Sequence, residues 1–98
     1  MNIVEFLEAR IAEDEKRAHY YDPLGASIGP ARLLAECQAK RAIINLHDQT
    51  GERWTGFPRA DQQEHYCIHD QQPAPCPTLR VLASVYADHS DYREEWKP

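Results

Sequence analysis

The sequence holds no run of about 18 apolar residues, the length a helix needs to cross a bilayer, so a membrane-spanning helix is excluded. It lacks a positive surplus as well: 16 acidic against 11 basic residues leave a net charge of −5. Affinity for nucleic acid rests largely on neutralising phosphates, which disfavours a general DNA or RNA binder, and a local pair such as Lys40 and Arg41 does not reverse that balance. Cysteine is scarce, three in 98 residues, and the number is odd. The opening MNIVEFLEARIAEDEKR places acids where a secretion signal needs a basic start and a long apolar stretch. A cytoplasmic protein is therefore the expectation, and a disulfide framework is not. Internal repeats and low-complexity tracts are missing, as are a phosphate-binding loop, a dinucleotide fingerprint and a paired-carboxylate motif.

What is present is the composition of one small globular domain, residues 1–98, with 42% hydrophobic and 28% charged residues. A chain of this length buries only about 60–65% of its unfolded surface, so a bound metal or a partner chain would count heavily in its stability. The patterning predicts a mainly α, three-helix domain. The first helix spans 2 to about 20, with Asn2 as cap, Val4, Leu7, Ile11 and Ala18 on one face, and the acidic run Glu13, Asp14 and Glu15 solvated on the other. Pro23, Gly25, Gly29 and Pro30 punctuate a tight connection. The second helix runs from about 30 to 47, with Leu33, Leu34, Cys37 and Ile44 apolar and Cys37 read as a buried core thiol. From about 48 to 75 regular signals fade into a long loop, in which Trp54 and Phe57 are candidate anchors and a short hairpin is compatible with the pattern. The third helix begins at CPTLRVLASVYADH, with Pro77 in the first helical position, and Ser90 is a candidate cap for a last turn that docks Tyr92 and Trp96.

The closing stretch CPTLRVLASVYADHSDYREEWKP resembles the C-terminal signature of a family of small uncharacterised proteins from actinobacteria and their bacteriophages. VEFLEARIAEDE is similar to that family's opening helix, and PARLLAECQAKRAIINLH to its middle one. The family is a domain of unknown function, so the resemblance implies a fold and a provenance but no activity. It also implies Cys/His pairs ahead of PCPTLR, in a zinc-ribbon-like insert; here that insert is short and has no C-x-x-C.

The chemistry concentrates in EHYCIHDQQPAPCPTLR, residues 64–80. Structural zinc takes four tetrahedral ligands of thiolate or imidazole type. The candidates are His47, Cys67, His69 and Cys76, with His65 as the alternative to His69. His65, Cys67 and His69 alternate along an extended segment and share a face. Cys76 lies at a helix start, where the dipole favours thiolate. Such a site would staple the loop to two helices and replace core that a short chain lacks. Unliganded surface histidines and a Cys67–Cys76 disulfide are the competing readings. His89 is read as a group meeting the carbonyl end of the third helix.

No catalytic set emerges. The first functional expectation is thus a small non-enzymatic interaction protein with a structural zinc, acting on a protein partner or forming a homodimer, and in the host cytoplasm if phage-encoded. The second is a zinc-containing nucleic-acid-associated protein, which would need Arg32, Lys40, Arg41, Arg53 and Arg59 to cluster. The third is a small enzyme dependent on cysteine or metal, which would need an open coordination position and a pocket.

Overall fold

The computed structural model describes residues 1–20, 29–54 and 63–98, without the side chains of residues 19, 20, 29, 30, 52–54, 63 and 64. Three α-helices carry the architecture: α1 (Ile3–Tyr20), α2 (Gly29–His47) and α3 (Pro77–Ser84). The connection through Pro23 and Gly25, the anchoring side chains of Trp54 and Phe57, and the Arg53 and Arg59 parts of a basic patch lie outside the described residues.

Asn2 caps α1 as its sequence position predicts: its Oδ1 accepts the Glu5 backbone N–H at 2.8 Å. Asn2→Ala is expected to cost about 1 kcal/mol, lowering a thermal midpoint by about 4–8 °C in a domain of this size; a circular-dichroism melt checks it. The α1 face buries Ile3, Phe6, Leu7 and Ile11 against Cys37 and Ile44 of α2 and Leu79 and Ala83 of α3. Val4 is only partly buried, and Phe6, not singled out by the periodicity, is fully buried at the centre.

Between α2 and α3 the expected irregular loop holds a three-stranded antiparallel sheet in the order β1 (Thr50–Trp54), β2 (Gln63–Cys67), β3 (Gln72–Pro73). Its strands, TGERW and QEHYC, lack a clean apolar alternation, so their pairing rather than their pattern defines them. The register sets Thr50 opposite Cys67 and Gly51 opposite Tyr66. The Tyr66 ring lies so close over Gly51 that a Cβ there would sit 2.9 Å from Cε1.

The third helix is shorter than expected. After Ser84 the chain tightens into i→i+3 hydrogen bonds, with Tyr86 N–H to Ala83 O at 2.9 Å, His89 N–H to Tyr86 O at 3.0 Å and Tyr92 N–H to His89 O at 3.0 Å. Three-residue steps place side chains above one another. Tyr86, His89 and Tyr92 therefore meet the same ring, Phe6, at centroid distances of 6.3, 5.8 and 6.1 Å, and Trp96 joins at 5.0 Å. Trp96 belongs to a final 3-10 turn, Glu94–Trp96, which is preceded by Arg93, so Ser90 does not cap it.

The acidic run of α1 is not simply solvated. Glu13 accepts from Arg10 at 3.0 Å, Asp14 from the Tyr86 hydroxyl at 2.9 Å, and Glu15 takes two hydrogen bonds from Arg41 of α2. Lys40 donates to the Tyr86 hydroxyl at 3.1 Å. His89 packs on α1 rather than on a helix end: Arg10 Nη1 lies against both nitrogens of its ring, and Nδ1 accepts from Asp91 N–H at 3.0 Å. Burial, reinforced by Asp14, raises the Tyr86 phenol above its ordinary value near 10. A raised acid favours the folded, protonated form below about pH 10, so this stability is lost as pH rises from 10 upward. Tyr86→Phe is expected to cost about 1 kcal/mol at neutral pH and to flatten the alkaline fall, which urea titrations at pH 7 and above 10 would resolve.

Candidate metal centre

Each segment delivers one side chain to a common point. His47 is the last residue of α2, Cys67 the last of β2, and Cys76 the N-cap of α3, extended at φ −69° and ψ 162° with Pro77 behind it. The β2–β3 turn supplies Asp70. This turn closes through Gln71 N–H to Cys67 O at 2.8 Å, with Gln71 left-handed at φ 56°. Left-handed backbone at a non-glycine residue is uncommon and costs of order 1 kcal/mol; the Gln71 side chain partly offsets it by donating to Ile68 O at 2.7 Å.

One donor atom from each of His47, Cys67, Asp70 and Cys76 lies within 4.8 Å of all the others. Three of the approaches meet on a single nitrogen. His47 Nδ1 is 3.7 Å from Cys67 Sγ, 3.5 Å from Cys76 Sγ and 3.3 Å from Asp70 Oδ1. One ring nitrogen has one lone pair or one hydrogen, so it satisfies one such neighbour well. Two thiols, an imidazole and a carboxylate around one point form a donor set for a cation. Cys67 and Cys76 are fully buried and His47 is 7% exposed, while Asp70 is partly exposed on the outer side of the set.

The electrostatics fit a site whose protons leave when a cation enters. Burial pushes the Cys76 thiol up to about 11, outweighing the helix-start effect expected from sequence. The Asp70 carboxyl is held down at about 2, chiefly by the hydrogen bond from the Thr78 hydroxyl to Oδ2 at 2.8 Å. Metal binding displaces the thiol protons, and Asp70 is already ionised at neutral pH.

The other sequence candidates lie around this set. His69 is exposed; its ring is 4.4 Å from that of His47 and its Nδ1 is 3.2 Å from Asp70 Oδ1. His65 sits exposed on β2, two residues before Cys67. Neither belongs to the converging four. Asp70 is a carboxylate and so falls outside the histidine and cysteine candidates, although Cys67-x-x-Asp70 has the spacing of paired zinc ligands on a tight turn. All three thiols are free, including the core thiol Cys37.

Fold and site together define a small three-helix domain whose interhelical segment carries a buried thiol, imidazole and carboxylate cluster suited to a metal ion. Among the described residues no helix is long and apolar enough to cross a membrane. The chain belongs to the family of unknown function DUF6221, whose profile matches it over residues 1–98. No curated protein and no solved structure matches it.

Proposed function

We propose that this protein is a small interaction module whose interhelical segment is folded around a structural zinc ion, and that it works by binding another protein rather than by catalysis. The convergence of three donor atoms on His47 Nδ1 carries this reading. Zinc suits the set because thiolate and imidazole are its preferred ligands and it accepts a carboxylate. Four protein donors in a buried site are the arrangement of a structural zinc; a catalytic one keeps a position open for water.

His47, Cys67 and Cys76 are three of the ligands, and the turn bearing His69 and Asp70 provides the fourth, with His65 farther back on the strand. The ion would tie the end of α2, the sheet and the start of α3 into one body. Exposed apolar side chains flank the cluster, Leu46 beside His47 and Ile68 beside Cys67, and Val81 and Val85 stand four apart at α3. Such residues suit a protein surface, either a second copy or, for a phage-encoded member, a host protein. The engagement of Lys40 with Tyr86, Arg41 with Glu15 and Arg32 with Glu36 supports this over a nucleic-acid role, since these cations already have partners.

The test is metal content by plasma mass spectrometry on protein purified without an affinity tag, with light scattering for oligomeric state. One zinc per chain is the expected result; a chain without metal would sink the zinc reading.

A further inference from the structure

The turn between β2 and β3 offers two neighbouring donors for the last coordination position, His69 and Asp70, and they are not equivalent. We infer that Asp70, through Oδ1, closes the coordination shell, and that Thr78 is the residue that positions it; this rests on the zinc reading above.

The backbone argues first. Asp70 N–H donates to Cys67 Sγ at 3.5 Å while Gln71 N–H closes the turn on Cys67 O. An amide aimed at the sulfur three residues earlier brings the two side chains of a ligand-x-x-ligand pair round to one point. In this chain the second place of that pair is a carboxylate. The side chain argues second. Thr78, in the first turn of α3, holds Oδ2 at 2.8 Å, so the carboxylate cannot turn away and Oδ1 faces the imidazole at 3.3 Å. A hydroxyl fixing the far oxygen of a ligating carboxylate is an outer-shell contact, and such contacts are worth about 10- to 100-fold in metal affinity. His69 argues third, by where it lies. It is 54% exposed and meets Asp70 Oδ1 at 3.2 Å, its ring tilted against that of His47. It is a lid on the carboxylate, not a member of the four.

This assignment makes the centre a two-thiolate, one-imidazole, one-carboxylate site. A carboxylate is a harder donor than a thiolate, so zinc is held more loosely than a third thiolate would hold it.

Competition against a chromophoric chelator, with cobalt(II) spectra alongside, tests it on the full chain. Asp70→Ala should weaken zinc binding by about 10-fold or more, and Thr78→Val by about 10-fold, with Thr78→Ser restoring it. His69→Ala, which removes only an outer contact to Oδ1 from the exposed side, should weaken binding less than Asp70→Ala does. Asp70→Cys should tighten zinc binding and add a third thiolate's share to the thiolate-to-cobalt band, a gain that a misfolded variant cannot produce. Loss of affinity in His69→Ala with Asp70→Ala unchanged would overturn the assignment and leave the zinc reading standing. A wild-type chain that takes up neither zinc nor cobalt would overturn both.

Discussion

If the cluster holds zinc as proposed, chelation is expected to lower the melting temperature by about 15–30 °C, more than any single surface substitution. A ligand present at a thousand times its Kd stabilises the folded state by about 4 kcal/mol, and each kcal/mol is worth about 4–8 °C in a domain of this length. The effect is not evenly spread. Phe6, Leu7, Ile11, Cys37 and Ile44 pair α1 with α2 without help from the cluster, whereas the sheet and the start of α3 meet α2 at His47. Without metal, the buried imidazole, the two thiols and the carboxylate keep only weak hydrogen bonds to one another, the Sγ contacts of His47 being 3.5 and 3.7 Å. Amide exchange should therefore rise first in β1, β2 and the first turn of α3, with α1 and α2 protected until later. Cys67→Ser should reproduce this pattern without chelator. A melting curve and an exchange pattern that chelation leaves unmoved would show that the cluster is held by protein contacts alone.

Phe6→Ala is expected to cost about 3–5 kcal/mol, a large part of the 5–15 kcal/mol that holds a typical domain together. Phe6 is fully buried and touches the rings of Tyr86, His89, Tyr92 and Trp96, with the Arg10 guanidinium 5.3 Å over its face. Truncation opens a cavity and removes edge contacts worth about 0.5–1.5 kcal/mol per pair beyond simple burial. Residues 85–98 have only short i→i+3 backbone bonds of their own, so this ring, with the contacts of Tyr86 to Asp14 and Lys40 and of His89 to Arg10, keeps them docked. Urea denaturation should show a lower midpoint, and limited proteolysis should remove the C-terminal residues before anything else. Phe6→Leu should lose the edge contacts but fill most of the space, and fall between. A Phe6→Ala midpoint equal to that of wild type would mean that the aromatic cluster contributes nothing to holding the C-terminal segment.

How far these features are legible in the sequence depends on the range of the interaction behind them. Caps and helical spacing act over three or four residues, so Asn2 and the extent of α2 can be read directly. Residue type marks His47, Cys67, His69 and Cys76, with His65 as alternative, as candidate ligands; the fold brings His47, Cys67 and Cys76 together and leaves both His69 and His65 outside the converging set. Asp70 could not be told from the fifteen other acids of the chain until the turn brought it round; only its spacing from Cys67 gave a signal. The partners of Asp14 and Glu15 lie 72 and 26 residues away, which is why a helix-bridging set looked like a solvated face. The sheet was hidden for a related reason. Its strands are short and polar, and their reason for pairing lies at their ends, where Cys67 joins the cluster.

The contact between Tyr66 and Gly51 bears on the fidelity of that pairing. A strand that slips by one residue turns its whole set of side chains to the opposite face, which would carry Cys67 away from His47 and leave the cluster one thiol short. In the native register the tyrosine ring occupies the space that glycine leaves free. Shifted by one place, the ring would lie over Thr50 or Glu52, each with a Cβ where Gly51 has none. The glycine is thus a proofreading position: it rejects neighbouring alignments by shape, before any cation is available to judge them by chemistry.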